Sequence, residues 1–485
     1  MCLLFIVYIN SKILDLKKKI TTLLVGLWMV LTTCVFNTNV GKEFHADWKE
    51  IKKRGKLVAV TNFNTIDYFI YNGQPMGFQF ELLQRFAEYS GMQLEIIASN
   101  DMMDMNSKLM DGECDLIAVN LPVTSENESL FAFTEPLMQS KQVLVQRKPN
   151  NLINLSDTSS NDHFIKNPLD LGDKTVIVQR NTAYVQRLKN ISGEIGKNIE
   201  IIEVPEDEEQ LIQFVAGGEI DYTVCDERIA QVNQNYYPQI DVSTVLSFPQ
   251  NLSWAVRKDS RVLLSELNKW LLQFKFSSQY AILYNKYYQN QWSSQMVNSN
   301  YFVLNSGKIS PYDEEIKRYS EQLHWDWRLL ASLIKQESNF NPGIKSWAGA
   351  YGLMQIMPST AQLFGFDSAR SPQTNIAIGV KLLKWLDKRF YYIVPDKVER
   401  LKFVLAAYNV GIGHVIDAQL LAKKYHKNMQ RWDDVKIFLL NKSKPRYYKD
   451  PVVRFGYCNG IQPCNYVTEV LNRFQHYKNL TELEQ

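Results

Sequence analysis

The sequence predicts a multidomain chain, a two-lobed α/β domain followed by a mainly α-helical one. Three observations predict it. Short apolar runs alternate with amphipathic stretches between residues 56 and 120, the pattern of a parallel sheet covered by helices. The same alternation restarts between residues 174 and 225. Beyond a polar stretch at residues 290–300 (NQWSSQMVNSN), apolar residues recur at helical spacing almost to the end.

Taken in order, residues 56–60 (KLVAV) read as a buried strand. Residues 80–89 read as a helix with Phe80, Leu83, Phe86 and Ala87 on one face, and residues 94–97 as the next strand. A helix over 105–110 stops at Asp111-Gly112, and residues 116–119 (LIAV) form another strand. In the second unit, strands are expected at 174–178, 199–204 and 221–225, with helices starting at Thr182 and over 207–215. Two similar units in tandem point to a binding domain with a ligand cleft between its lobes. The expected boundaries are 53–295 for this domain, with the second lobe at about 149–245, and 305–480 for the helical domain.

A chain of 485 residues has room for about three domain-sized units. Its formal net charge of +3 excludes the concentrated basic surface of a nucleic-acid binder. Aromatic residues make up 12% of the chain, a supply that suits sugar-binding clefts and ordinary cores alike. The N-terminus carries an address: Lys17, Lys18 and Lys19 precede a short apolar run at residues 20–31, too short to span a membrane comfortably. Leu31-Thr32-Thr33-Cys34 closes it and resembles a bacterial lipobox, with Cys34 as the lipidated residue, although Thr33 stands where Gly or Ala is usual. A plain cleaved signal or an uncleaved anchor is the alternative. A further apolar stretch in residues 1–16 is odd for a signal and fits a start codon placed too early, and residues 35–52 read as a linker. Of six cysteines, Cys458 and Cys464 bracket a short loop, where an oxidising compartment permits a disulfide. No Cys or His pairs stand at zinc-ligand spacing, so no metal is expected.

Four segments of the first domain carry a resemblance: residues 73–91 (GQPMGFQFELLQRFAEYSG), 109–124 (LMDGECDLIAVNLPVT), 131–145 (FAFTEPLMQSKQVLV) and 217–227 (GGEIDYTVCDE). They resemble the family 3 solute-binding domains, which implies a periplasmic-binding-protein fold with crossings between lobes near residues 143–145 and 253–256. The resemblance implies a ligand cleft at Thr124, Asn127 and Asp226. Amino-acid binders of this kind carry an Arg at the position of Asn127 to clamp a carboxylate. A neutral amide cannot replace that bidentate fork, which puts a standard free amino acid in doubt. Asp226 stands where an amino group is often bound, or is simply a loop carboxylate after a strand.

In the helical domain, Leu329, Leu330, Leu333 and Ile334 form an apolar stripe, and Glu337 continues it. Desolvation there favours the neutral acid, as a general acid for glycoside cleavage needs. Alone, such a Glu is more simply a helix cap. It is accompanied by Glu337-Ser338-Asn339-Phe340-Asn341-Pro342, then residues 350–358 (AYGLMQIMP), 406–411 (AAYNVG) and Asn465-Tyr466-Val467. These four blocks resemble the soluble-lytic-transglycosylase type of lysozyme-like domain.

That resemblance implies Glu337 as the catalytic acid and base. It implies a substrate-binding set of Ser338, Gly352, Leu353, Met354, Gln355, Tyr408, Asn409 and Tyr466, with Asn409 on the sugar's N-acetyl group and Tyr466 bonded to the Glu. Gly352 allows a tight turn, Gln355 offers an amide, and Met354, Met357 and Tyr408 have core roles as alternatives. Ordinary glycosidases need two carboxylates. The nearby Asp326, Asp367 and Asp387 fall in no motif block, and Asp326 stands at a helix N-cap position. A single carboxylate suits lytic transglycosylation without cofactor, with a lysozyme-type hydrolase and a non-catalytic glycan binder as rivals. The fusion resembles membrane-bound lytic transglycosylases. It implies peptidoglycan glycan strands as substrate, a peptide or amino-acid-like ligand in the first domain, and the periplasmic face of the outer membrane as location.

Overall fold

The computed structural model describes residues 47–149, 164–289, 296 and 299–481. The signal segment, Cys34 and residues 35–46 of the expected linker lie outside them, as does part of the boundary expected at 295–305; residues 48–52 of that linker instead belong to a helix, Trp48–Arg54, capped by Asp47. Among the described residues, no helix is long and apolar enough to cross a membrane.

The first domain holds β1 (Lys56–Thr61), β2 (Phe69–Tyr71), β3 (Gln74–Met76), β4 (Gln93–Ala98), β5 (Leu116–Pro122), β6 (Ala132–Phe133), β7 (Met138–Ser140), β8 (Gln142–Arg147), β9 (Thr175–Gln179), β10 (Glu200–Val204), β11 (Tyr222–Asp226), β12 (Ile240–Asp241) and β13 (Gln250–Val256). The first lobe is built on a sheet ordered β4-β1-β5-β13-β6, with β7 paired to β13. β1 runs parallel to β4 and β5 because a helix, Phe78–Ser90, makes the first crossover. That helix buries Phe78, Leu82, Leu83 and Phe86 and ends on Gly91 in the left-handed region, which releases the chain into β4. Gly77 precedes it with φ of 129°, and a Cβ there would lie 2.2 Å from the Asp67 carbonyl oxygen.

In the second lobe, β8 pairs antiparallel with β11 and β12, while β9 and β10 are parallel. Thr182 stands at the N-cap of helix Ala183–Ile195, and Asp207 with Gln210 forms a capping box on helix Glu208–Gly217. The crossings differ from expectation. β7 still belongs to the first sheet and β8 to the second, so the chain changes lobe at Lys141. It returns between Leu246, whose N–H donates to the Gln142 carbonyl, and Gln250 at the start of β13. Residues 143–145 and 253–256 are buried members of β8 and β13, and the crossings themselves lie upstream, at Lys141 and at Ser247-Phe248-Pro249. The second lobe accordingly begins at Gln142 rather than about 149.

The helical domain is organised on its last helix, Ile461–Thr481, which packs against helices Trp327–Ser338 and Lys397–Val410. The far end of that helix also reaches the first domain. Tyr477 Oη donates to the Gly73 carbonyl at 2.7 Å, and Tyr68 Oη lies 2.8 Å from His476 Nδ1. Lys335 Nζ donates to the Asn72 carbonyl at 2.6 Å. The tight turn Asn72-Gly73 between β2 and β3 is thus seated on the helical domain, with both residues at positive φ. Phe302 is fully buried against Phe69, with ring centroids 5.3 Å apart, so the chain packs on β2 before the helical domain begins.

Cys458 and Cys464 are both buried free thiols, which corrects the expected disulfide. The Cys464 sulfur is turned toward the Lys436 carbonyl on the neighbouring helix.

Candidate active site

Glu337 lies in the last turn of helix Trp327–Ser338. Asp326 caps the helix through the Arg328 N–H and pairs with the Arg328 guanidinium at 2.7 Å. Leu329, Leu330, Leu333 and Ile334 are buried, so the helix is held by its apolar stripe and its last turn carries Glu337 out half-buried. Burial pushes the carboxyl from 4.5 up to about 7, and the Tyr466 hydroxyl opposes that shift. Tyr466 donates to Glu337 Oε1 at 2.6 Å. With one oxygen so occupied, Oε2 is left to carry the proton.

Two residues not singled out from sequence lock this pair. Ser332 donates to the Val470 carbonyl at 2.6 Å, and Arg473 donates back to the Ser332 carbonyl at 3.2 Å. Together they set the register between the helix bearing Glu337 and the helix bearing Tyr466. Among the described residues, no second carboxylate enters the environment of Glu337. Asp387 pairs with Arg400 at 2.7 Å, and Asp367 is exposed.

The loop at residues 350–358 forms the next wall. Gly352 has φ of 80°, and a Cβ there would come within 2.4 Å of Asn375 Nδ2. The glycine is therefore required by Asn375, a buried residue of helix Pro372–Phe390. Asn375 accepts from the Met354 N–H at 2.7 Å and donates to the Tyr351 and Ala369 carbonyls at 2.8 and 2.9 Å. The signal that could have found it is a lone Asn on an otherwise apolar helix face. Tyr408 donates to the Met354 carbonyl at 2.7 Å, and its hydroxyl stays protonated through burial and then the charge of Glu337. Gln355, at φ of 48°, donates to the Gly352 carbonyl at 2.9 Å and remains half-buried, as does Asn409 at the end of helix Lys397–Val410.

Three of the expected substrate-binding residues turn their side chains into the core. Leu353 and Met354 are fully buried, and Met354 packs on Gly379, where a Cβ would meet its sulfur at 2.3 Å. Ser338 is buried with its hydroxyl donating to the Ile334 carbonyl at 3.1 Å. Leu353 and Met354 sit behind the wall, Met354 packed on helix Pro372–Phe390, and Ser338 closes the helix that carries Glu337.

In the first domain, Asp226 caps the helix that follows β11 and lines the interlobe cavity with Asp67 and Glu208. Thr124 and Asn127 do not join them. Thr124 Oγ1 accepts from the Asn127 N–H at 3.2 Å, and the Asn127 amide donates to the Pro122 carbonyl at 3.0 Å, so both are spent on capping a short helix. The lobes are latched directly. Thr65 N–H and hydroxyl donate to Glu209 at 3.0 and 2.5 Å, Asn100 donates to Asp207 at 2.8 Å, and Arg180 pairs with Asp101 at 2.8 Å.

Comparison with known proteins agrees with this division. Residues 57–290 match the model of the bacterial extracellular solute-binding proteins, family 3, and residues 314–431 that of the transglycosylase SLT domain. A curated relative, "Membrane-bound lytic murein transglycosylase F" of Desulfosudis oleivorans, is 32% identical over 466 residues, covering 95% of this chain and 98% of that protein. The protein of the same name from Aeromonas hydrophila is 28% identical, covering 98% of this chain and 91% of its own. Among solved structures, a mutant of ArgBP from T. maritima is 24% identical with a TM-score of 0.43, covering 50% of this chain and 99% of that one. By the near full-length match to its relatives, this chain belongs to the membrane-bound lytic murein transglycosylase F family.

Proposed function

We propose that Glu337 performs both proton transfers in this peptidoglycan lytic transglycosylase. The observation that carries the reading is the half-buried carboxyl raised to about 7 and held at one oxygen by Tyr466. Near neutral pH such a group is protonated in a large fraction of molecules and ionises readily, as an acid that must become a base requires. Protonated Glu337 gives its proton to the oxygen bridging N-acetylmuramic acid and N-acetylglucosamine. The β-1,4 bond breaks, and the bonding pair leaves with that oxygen. The ionised Glu337 then takes the proton from the muramic C6 hydroxyl, whose oxygen closes on the cationic carbon to give a 1,6-anhydro ring. No water is consumed and Glu337 ends protonated as it began. Tyr408, Gln355 and Asn409 are assigned to the glycan-binding wall, Asn409 to the N-acetyl group.

Mass spectrometry of peptidoglycan digested by the full chain and by Glu337→Gln tests this. Anhydro-ended muropeptides from the wild type alone are expected. Reducing ends would make the enzyme a hydrolase, and no cleavage by either protein would leave a glycan-binding role.

The enzyme works in the cell envelope. The finer reading is a lipoprotein on the periplasmic face of the outer membrane, supported by the lipobox-like Leu31-Thr32-Thr33-Cys34. Loss of membrane partitioning in Cys34→Ser would be expected. The first domain is read as a regulator that takes a peptide or amino-acid-like ligand. Support comes from the seating of Asn72-Gly73 and Tyr68 on the helices that carry Glu337 and Tyr466. Tyr68→Phe is expected to change how activity responds to ligand and not the basal rate. An unaltered response would remove that contact from the coupling.

A further inference from the structure

We propose that the interlobe cavity of the first domain takes its ligand through an ammonium group seated among Asp67, Glu208 and Asp226, with no clamp for a carboxylate beside it. The inference rests on reading the first domain as a ligand receptor and names the chemistry that the receptor selects.

Four side-chain oxygens of residues lining the cavity have no hydrogen-bond partner, the Ser140 hydroxyl and three that act as acceptors, Asp67 Oδ1, Glu208 Oε2 and Gln142 Oε1. Asp67 is 1% exposed and Gln142 4% exposed, so solvent does not satisfy them. A buried acceptor left without a donor costs about 1–3 kcal/mol, and an ammonium group brings three N–H donors and no acceptor. The carboxyls also feel one another. Burial raises all three, and the charge of Asp226 adds to the rise at both Asp67 and Glu208. The arrangement is unfavourable empty and is relieved by a cation.

The opposite end of a zwitterion finds no counterpart. The Asn127 amide, at the position of the family's Arg, is turned to the Pro122 carbonyl. The Arg228 guanidinium donates to the Gln139 carbonyl and lies over the Tyr284 ring. Among the described residues lining the cavity, Lys141 is the one cation, a half-buried point charge at the lobe crossing set against three carboxyls. A lone lysine supplies no planar bidentate fork.

The test is calorimetric titration of the full chain with two probes. L-Lysinamide has ammonium groups and no carboxylate; N-acetyl-L-norleucine has a carboxylate and no ammonium group. Lysinamide is expected to bind and N-acetylnorleucine not. Asp67→Asn and Glu208→Gln should each weaken lysinamide at least tenfold while raising the melting temperature of the unliganded protein at about pH 9, where both carboxyls are ionised, because each removes a buried like charge. Three results overturn the proposal: binding of N-acetylnorleucine, unchanged lysinamide affinity in both variants, or a lowered melting temperature in both, which would make these carboxyls structural. Silence from both probes overturns it too, and that result alone also removes the receptor reading.

Discussion

The two ends of this molecule bury carboxyl groups in different company. Glu337 and Glu208 each accept from a tyrosine hydroxyl, Tyr466 at 2.6 Å and Tyr184 at 2.5 Å. Both are raised chiefly by burial, to about 7 and about 8. Around Glu337 no other acid among the described residues contributes, whereas Glu208 is also pushed by Asp226, Asp207 and Asp67. A solitary buried carboxyl is a proton donor that can cycle through its ionised form. A crowd of them resists ionisation until a cation arrives, which turns the same desolvation from a catalytic device into a recognition device.

The comparison is broken most severely at Glu337. Glu337→Gln should lower turnover by about 10³-fold, the usual scale for a general acid–base. It should also stabilise the protein. A carboxyl raised from 4.5 to about 7 makes its contribution to folding below 4.5 and loses it as pH rises through about 7. At pH 8 the ionised form is a burden, so the neutral amide should raise stability by about 2 kcal/mol in denaturant titration. Equal stability at pH 8 would mean that Glu337 is not desolvated. Next comes the scaffold. Asn375→Ala strands the Met354 N–H and the Tyr351 and Ala369 carbonyls, and should cost about 3 kcal/mol. A loss under about 1 kcal/mol would show that the loop at 350–358 holds without it.

Tyr466→Phe sharpens the contrast. Its hydrogen bond lowers the Glu337 pKa, so its loss should move the alkaline limb of the kcat/KM profile upward from about 7, with turnover falling about tenfold. A purely structural role would lower activity without moving the limb. The matching change in the cleft, Tyr184→Phe, should do least. The neighbouring acids remain, and lysinamide affinity should drop by about fivefold, the worth of one neutral hydrogen bond. A larger fall would make Tyr184 a direct ligand contact.

Much of the catalytic half was legible because its chemistry sits on local patterns. The 3.6-residue stripe from Leu329 to Ile334 marks a buried face, and Glu337 at its end reads as an acid in the wrong solvent. What a motif cannot convey is which of its residues look outward. Leu353, Met354 and Ser338 belong to the same blocks as Gln355 and Glu337, yet they are buried behind them. The backbone of the loop, with Gly352 and Gln355 at positive φ, decides that. In the first domain the strands and helices of the two βαβ units were readable, but the crossings that the resemblance implies fall on β8 and β13, which are ladder strands, because a shared motif does not report sheet membership.

The order of domains, the two-lobed α/β pattern and the helix that presents Glu337 are written in short-range spacing of apolar and turn residues. The partners of these groups are set by long-range packing. Tyr466 stands 129 residues from the carboxyl it bonds, and Tyr68 stands 408 residues from His476. The cleft acids Asp67, Glu208 and Asp226 come from separate elements of both lobes. Their charges and desolvation are properties of a packed neighbourhood, and no local stretch of chain carries them.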